Sequence, residues 1–385
     1  MVAGAFSGSS ATWRWAFYIN LPLAARELVP HHTLKTVTNP RFPVLVTAPI
    51  YIWLFPRYNP QPTITTPRKL TQIDWVGSLL NASTLVLFMI VLTFSGSTWH
   101  WNAAGPITLW TFFGLSLILY VLQQTFSIFT TPERRLFPIH FTKSRTLLLL
   151  YFTTAASASA MSVCLYYVPL FFQFTRGDTA LGAAVRLLPF IILYVFFVMF
   201  SGALLPVFGR YAPWYLPSSM LIIIGGAFMY RINATTHTAS IYGYEVLIAV
   251  GVGLIFQTGY TVAAAKVDPK DVPAAIGFIN VAQIGSIAIS LSISGAIFQN
   301  LGYAYLRDAL ASYDFSEASL RSALAGAKSV VLSGDDTVIR GLAIDAIIAT
   351  IDKLYALVLA AGAVVFVSAC FMRWEKLKLE MVGGG

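Results

Sequence analysis

Eight runs of roughly twenty apolar residues recur along this chain, and they constrain its fold more than any other feature. They fall near 75–95, 106–129, 146–172, 186–208, 214–231, 241–264, 273–299 and 353–372, with a weaker stretch divided between 13–25 and 43–56. A hydrocarbon core about 30 Å thick is crossed by about 20 residues of α-helix. Backbone N–H and C=O groups in lipid must be satisfied internally, and the alternation of a β-barrel strand is missing, so these runs are expected to be helices. Charged residues make up only 11% of the 385 positions and hydrophobic ones 57%. A soluble domain carries about 25% charge, so lipid must cover most of this surface. The fold class that follows is an all-α polytopic membrane protein, with the bilayer as its first partner.

Lysine and arginine placement sets the expected orientation. With the C-terminus in the cytoplasm, the segments on that side hold Arg57, Arg68, Lys69, Arg134, Arg135, Lys143, Arg145, Arg210, Lys266, Lys270, Arg373, Lys376 and Lys378. The short outer loops hold Arg176 and Arg231, with Arg186 near the mouth of its span. This is the bias of a multi-pass protein with positive loops inside. The segment 301–350 is then an outer loop, with amphipathic helix expected around 317–331 and Ser316 as its cap. Asn233-Ala234-Thr235 is a glycosylation sequon in an outer loop, whereas Asn81-Ala82-Ser83 lies inside a span and is read as non-functional.

Several function classes are disfavoured. The net charge of +9 is spread without a run of five basic residues, so nucleic acid is not an expected partner. His31, His32, His100, His140 and His237 are scattered without metal-ligand spacing, and no metal or cofactor is expected. No P-loop or serine-hydrolase elbow occurs, which argues against an ATP-driven pump and an enzyme. Cys164 and Cys370 sit in apolar stretches and read as small packing residues. The N-terminus lacks the pattern of a secretory signal and reads as the continuation of something longer.

The segment Trp13-Arg14-Trp15-Ala16-Phe17-Tyr18-Ile19-Asn20-Leu21-Pro22 forms an interfacial belt, with aromatics at headgroup level and Arg14 snorkelling. It resembles the signature at the start of span six in the fourteen-span drug:proton antiporter branch of the major facilitator superfamily, as found in fungi. Asp74-Trp75-Val76-Gly77, Tyr166-Tyr167-Val168-Pro169-Leu170-Phe171-Phe172-Gln173, Arg186-Leu187-Leu188-Pro189, Gly251-Val252-Gly253-Leu254-Ile255-Phe256-Gln257 and Asp271-Val272-Pro273 resemble the same family in the same order. On this alignment the eight runs are spans seven to fourteen, residues 1–56 hold the end of span five and span six, and spans one to four and most of five, with the family's gate motif and span-four arginine, are missing. The resemblance implies a major facilitator fold, incomplete, divided as follows. Residues 1–56 are a remnant of the N-terminal bundle, 57–73 a cytoplasmic linker, 74–130 a linker helix pair, 131–145 a cytoplasmic loop, 146–372 the C-terminal bundle and 373–385 a cytoplasmic tail. The polar stretch 26–45 interrupts one apolar helix and reads as translated intron, with a genuine surface loop as the alternative.

Polar side chains inside lipid usually face a bundle interior or a water cavity. Gln173, Gln257, Asn280 and Gln283 are such residues, and with Tyr166 and Tyr167 they are the candidate substrate cavity. The alternative is that they only hydrogen-bond between helices. Gly277, Gly285, Ala288, Ser292 and Gly295 form a small-residue stripe suited to close packing. Asp74 and Glu245 are candidates for proton coupling, each weighed against a carboxylate that stabilises a helix start. Pro169, Pro189 and Pro206 are candidate bends for a rocking motion, or ordinary helix ends. The resemblance implies proton-coupled efflux of drugs or fungal secondary metabolites at the plasma membrane by alternating access. Its partners would be protons and a small organic substrate. The alternatives are a non-transporting fragment or accessory membrane protein, and an importer of siderophores or other small molecules in the same superfamily.

Overall fold

A computed structural model describes residues 73–377, apart from 133, 327, 328 and 335. The aromatic signature at 13–22, the stretch 26–45 and the linker before residue 73 lie outside the described residues. The helices are α1 (Trp75–Phe94), α2 (Ala104–Phe126), α3 (Arg145–Arg176), α4 (Ala180–Val185), α5 (Leu188–Phe208), α6 (Ala212–Met229), α7 (Thr238–Ile255), α8 (Thr258–Ala265), α9 (Val272–Ala309), α10 (Glu317–Ala325), α11 (Val330–Ser333) and α12 (Thr337–Cys370). Eight helical stretches are long and apolar enough to cross a membrane, and no strand occurs among the described residues.

Six of the spans start and end close to the expected runs. The last differs, beginning at Thr337 rather than 353, while α9 runs on to Ala309. The outer segment expected at 301–350 is therefore helical at both ends. Arg340, Asp345, Asp352 and Lys353 interrupt the apolar pattern of α12 but not its backbone ladder. Lys353 Nζ sits 3.5 Å from Asp352 and 4.4 Å from the ring centre of Tyr230, which accommodates its charge inside the helix. Between these helices, Ser316 caps α10 as expected, accepting from the Ser319 N–H. Arg321 on α10 pairs with Glu317 at 2.8 Å and donates to the Gly96 carbonyl, tying the outer segment to the α1–α2 turn.

The larger compact unit comprises Ile73–Gly177 and the chain from Leu187 onward. In it α3 packs against α7, α9 and α12, α6 against α7 and α12, and α5 against α7. The α1–α2 pair joins this bundle through α1 on α9. Leu150, Val163, Val168, Phe171, Ile248, Ile351, Leu354 and Val358 are fully or almost fully buried and mark its core. Interhelical hydroxyl pairs cross the apolar interfaces: Ser162 to Ser290 at 2.8 Å between α3 and α9, and Thr84 to Ser116 at 2.9 Å between α1 and α2. Residues Asp178–Arg186 belong to a separate compact unit, whose described part holds α4. Thr179 caps α4 by accepting from the Gly182 N–H, and Arg186 pairs with Asp178.

The closest helix approach uses glycines other than the expected stripe. A Cβ at Gly251 would stand 2.8 Å from the Ser218 carbonyl oxygen, and one at Gly225 2.9 Å from the Tyr244 oxygen. Backbones of α6 and α7 therefore meet directly, as small residues permit in membranes. A Cβ at Gly277, Gly285 or Gly295 of α9 would meet nothing within 4 Å among the described residues. The stripe borders cavities rather than sealing an interface.

One end of the bundle brings Arg145, Arg210, Lys266 and Lys376 to the 371–377 segment. There the 371–377 segment folds back on the helix termini. Leu377 N–H donates to Gly209 at 2.7 Å, Arg145 donates to the Phe371 carbonyl at 2.7 Å, and Lys266 meets Glu375 at 2.8 Å.

Candidate functional site

Glu245 is the most informative side chain in the bundle. It was expected near a helix start, yet it lies two turns into α7 and is completely buried. Neither carboxylate oxygen has a hydrogen-bond partner among the described residues. Cys164 and Tyr167 of α3 and Tyr355 of α12 share its electrostatic surroundings, and the Tyr355 hydroxyl is likewise unpartnered. No cation is paired with this carboxylate among the described residues. A lone ionised carboxylate in such a medium is very costly, so the group is carried as the neutral acid. Cys164 and Tyr355 escaped sequence reading because each looks like an ordinary packing residue.

Tyr167, which interacts with the same Tyr355 as this carboxylate, lines a cavity of about 470 Å³. Tyr166, Tyr167, Phe298, Ser292, Gln299 and Met89 are among its walls. Tyr166 and Tyr167 rings lie 4.9 Å apart, edge to face, and Tyr167 contacts Phe298 at 5.8 Å. Tyr167 is almost fully buried while Tyr166 is 58% exposed, so one ring forms the wall and the other is open to an incoming ligand. An aromatic cleft that also carries Thr93, Ser292 and Gln299 suits a bulky amphipathic molecule.

The amide candidates form a second locus. The Tyr260 hydroxyl oxygen is 3.1 Å from Asn280 Oδ1 and 2.9 Å from Gln283 Oε1, and Gln283 Nε2 has no partner. One hydroxyl proton cannot serve both acceptors fully. Turning the Gln283 amide over would let Nε2 donate to the hydroxyl, and the Tyr260 proton would then go to Asn280. Asn280 is exposed on α9, and Gln257 is exposed in the turn between α7 and α8. Tyr260 was missed because a tyrosine in an apolar run carries no spacing signal. From Asn280 to Ser292 is about 18 Å along α9 at 1.5 Å per residue, so the two loci sit at different depths. Gln173 is half-buried and joins neither.

Asp74 lies just before α1 as its cap. It accepts from the N–H groups of Gly77 (2.8 Å) and Leu136 (3.2 Å) and from the amides of Gln123 (3.1 Å) and Gln124 (2.8 Å). Burial works to raise its carboxyl, but these hydrogen bonds outweigh it and hold the group below the usual carboxylate range. A group kept ionised by four donors suits a structural role better than proton transfer. Gly77 is needed here, because a Cβ would collide with the Asp74 carboxylate and the Gln124 amide. Asn233 is exposed in the α6–α7 turn, where its Oδ1 accepts from the Thr235 and Thr236 hydroxyls at 2.8 and 2.9 Å. Cys164 and Cys370 are both free thiols.

The eight candidate spans and their packing, α3 on α12 included, define an all-α polytopic membrane protein. In sequence the chain is similar to fungal proteins named efflux pumps and MFS-type transporters. It is 36% identical over 379 residues to the efflux pump patC of Aspergillus clavatus, covering 98% of this chain and 65% of that one. It is 34% identical to the MFS-type transporter patC of Penicillium expansum, over 97% and 65% of the two chains. With the efflux pump DEP3 of Fusarium langsethiae it shares 33% identity over 100% and 65%. The chain thus spans 65% of the length of these relatives. No protein-family model matches it.

Proposed function

We propose that this chain serves proton-coupled export of bulky, amphipathic organic molecules, secondary metabolites among them, by alternating access. The observation that carries the reading is Glu245: a fully buried carboxylate without a hydrogen-bond partner among the described residues, linked through Tyr355 to Tyr167 of a cleft sized for a small ligand. Such a group takes up a proton when its surroundings close and gives it up when water reaches it, which links protonation to conformation. Tyr166, Tyr167, Ser292 and Gln299 hold the apolar body of the substrate, and Tyr260, Asn280, Gln283 and Gln257 offer hydrogen bonds at a second depth. Asp74 and Gln173 stand outside this machinery.

The clustering of Arg134, Arg135, Lys143, Arg145, Arg210, Lys266 and Lys270 near the folded-back 371–377 segment supports a cytoplasmic C-terminus. The plasma membrane is the expected location, and exposed Asn233 is the expected glycan site on the outer face.

The test is flux. The purified chain is reconstituted in liposomes, an inside-acid gradient is imposed, and uptake of the amphipathic dye rhodamine 6G is followed. Uptake that follows the gradient, collapses with a protonophore and is lost in Glu245→Gln supports antiport. Flux no greater than that of empty liposomes would mean that this chain does not transport by itself. Dye movement in the same direction as the protons would assign import.

A further inference from the structure

We propose that the cavity between the α1–α2 pair and helices α3 and α9 binds an anionic phospholipid, with an acyl chain in the cavity and the headgroup phosphate on Arg135. The cavity holds about 550 Å³, within the roughly 300–1,000 Å³ typical of ligand sites. Leu85, Phe88, Leu117, Val121, Phe152 and Ile289 make its body apolar. Four of these, Leu117, Val121, Phe152 and Ile289, are also substantially exposed, so the cavity opens on the flank of the bundle that lipid covers.

Polar side chains in its wall are few, Asn81, Thr84, Gln124 and Ser286 among them. Phe137 and Ile139 also line the cavity, and they belong to the 131–145 loop that carries Arg134, Arg135, His140 and Lys143. The Arg135 guanidinium lies 3.2 Å from His140 Nδ1, yet its buried Nε has no hydrogen-bond partner among the described residues. No carboxylate pairs with Arg134, Arg135 or Lys143 among the described residues. The nearby Asp74 is occupied by its four donors. Burial first, and the charge of Arg135 second, hold His140 below its usual range against the opposing pull of Asp271. His140 therefore stays neutral near pH 7 and does not compensate the guanidinium. A half-buried arginine beside His140, next in sequence to the lining residue Ile139, sets a positive charge close to an apolar cavity, the combination that suits an anionic headgroup between transmembrane helices.

This site is separate from the export machinery and stands or falls without it. The shared ligand chemistry is an anion on an apolar body, which a phospholipid or an acidic amphiphile can supply. Thermal unfolding of the detergent-purified full chain is measured during titration with phosphatidylglycerol, phosphatidylcholine of the same chains, palmitate and inorganic phosphate. Phosphatidylglycerol is expected to stabilise at about tenfold lower concentration than phosphatidylcholine, the margin of a charge-assisted pair. Arg135→Gln should lose that preference. Gly285→Leu, which fills open space at the cavity wall, should lose the response to phosphatidylglycerol even if the arginine variant does not fold. Equal stabilisation by both phospholipids overturns the proposal. So does phosphate alone matching phosphatidylglycerol, which marks a free-anion site, or palmitate matching it, which marks a site for acidic amphiphiles in general.

Discussion

Asp74 and Gln124 meet at 2.8 Å although 50 positions separate them in the chain. Their contact locks the start of α1 to the end of α2, and the Leu136 and Phe137 N–H groups bind the following loop to the same pair. The linker helices are thereby held as a unit at one end by a buried polar network and along their length by Thr84 and Ser116.

That network has a pH signature. The Asp74 carboxyl is held below its unfolded value, so its stabilising contribution is present above the unfolded pKa of about 3.9. It is lost as pH falls through the lower folded value. The unfolding temperature of the detergent-purified chain should drop as pH falls from about 4 toward 3, with Asp74→Asn showing a weaker drop over that range. At pH 7, Asp74→Ala removes a cap worth about 0.5–2 kcal/mol. It also leaves buried donors unpartnered at about 1–3 kcal/mol each. Equal pH dependence in wild type and Asp74→Asn would remove Asp74 from this role.

Glycine position decides the second prediction. Gly251→Ala pushes a methyl against the Ser218 carbonyl and Ile222, and should destabilise by about 1–3 kcal/mol, the usual cost of overpacking. Gly277→Ala on α9 meets nothing within 4 Å among the described residues and should be neutral or stabilise by about 0.5–1 kcal/mol through helix propensity. Thermal unfolding monitored by intrinsic fluorescence compares the two. A destabilised Gly277→Ala would mean that the α9 face is packed after all.

Much of this architecture was legible because hydropathy and charge are written directly in the residues. The helices around 75–95 and 106–129 and the Ser316 cap follow from apolar length and capping chemistry. The start of α12 at Thr337 was hidden, since Asp345, Asp352 and Lys353 break an apolar run without breaking a helix. The facing of each helix was hidden too. In lipid both the inner and the outer surface of a span are apolar, so periodicity does not mark which side is buried. That is why Glu245 read as a helix-start carboxylate and why the α9 stripe read as an interface. The amide set was found by its cost in lipid, but its division into separate loci, with Gln173 in none of them, depends on tertiary packing.

Tyr260→Phe tests whether the amide locus touches substrate. It removes one hydroxyl from a half-exposed site, so the folded chain should keep its unfolding temperature. If Asn280 and Gln283 are presented to ligand by that hydroxyl, the concentration of rhodamine 6G giving half-maximal uptake should rise about two- to tenfold, the loss of about one hydrogen bond. A lower unfolding temperature with unchanged dye dependence would assign the trio to helix packing.

Glu245 gives the sharpest contrast between two substitutions at one position. Glu245→Gln replaces a neutral acid by a neutral amide of the same shape, so the unfolding temperature should stay near that of the wild type, within the range of about 1 kcal/mol typical of mild substitutions. Glu245→Lys places an ammonium among Cys164, Tyr167 and Tyr355 with no carboxylate to meet it. An uncompensated buried charge costs about 3–5 kcal/mol, so this variant should unfold far earlier or fail to accumulate. If glutamine instead destabilised as much as lysine, the native carboxylate would have to be ionised and held by contacts of its own. A carboxylate held in that way would not release and rebind a proton as the helices move.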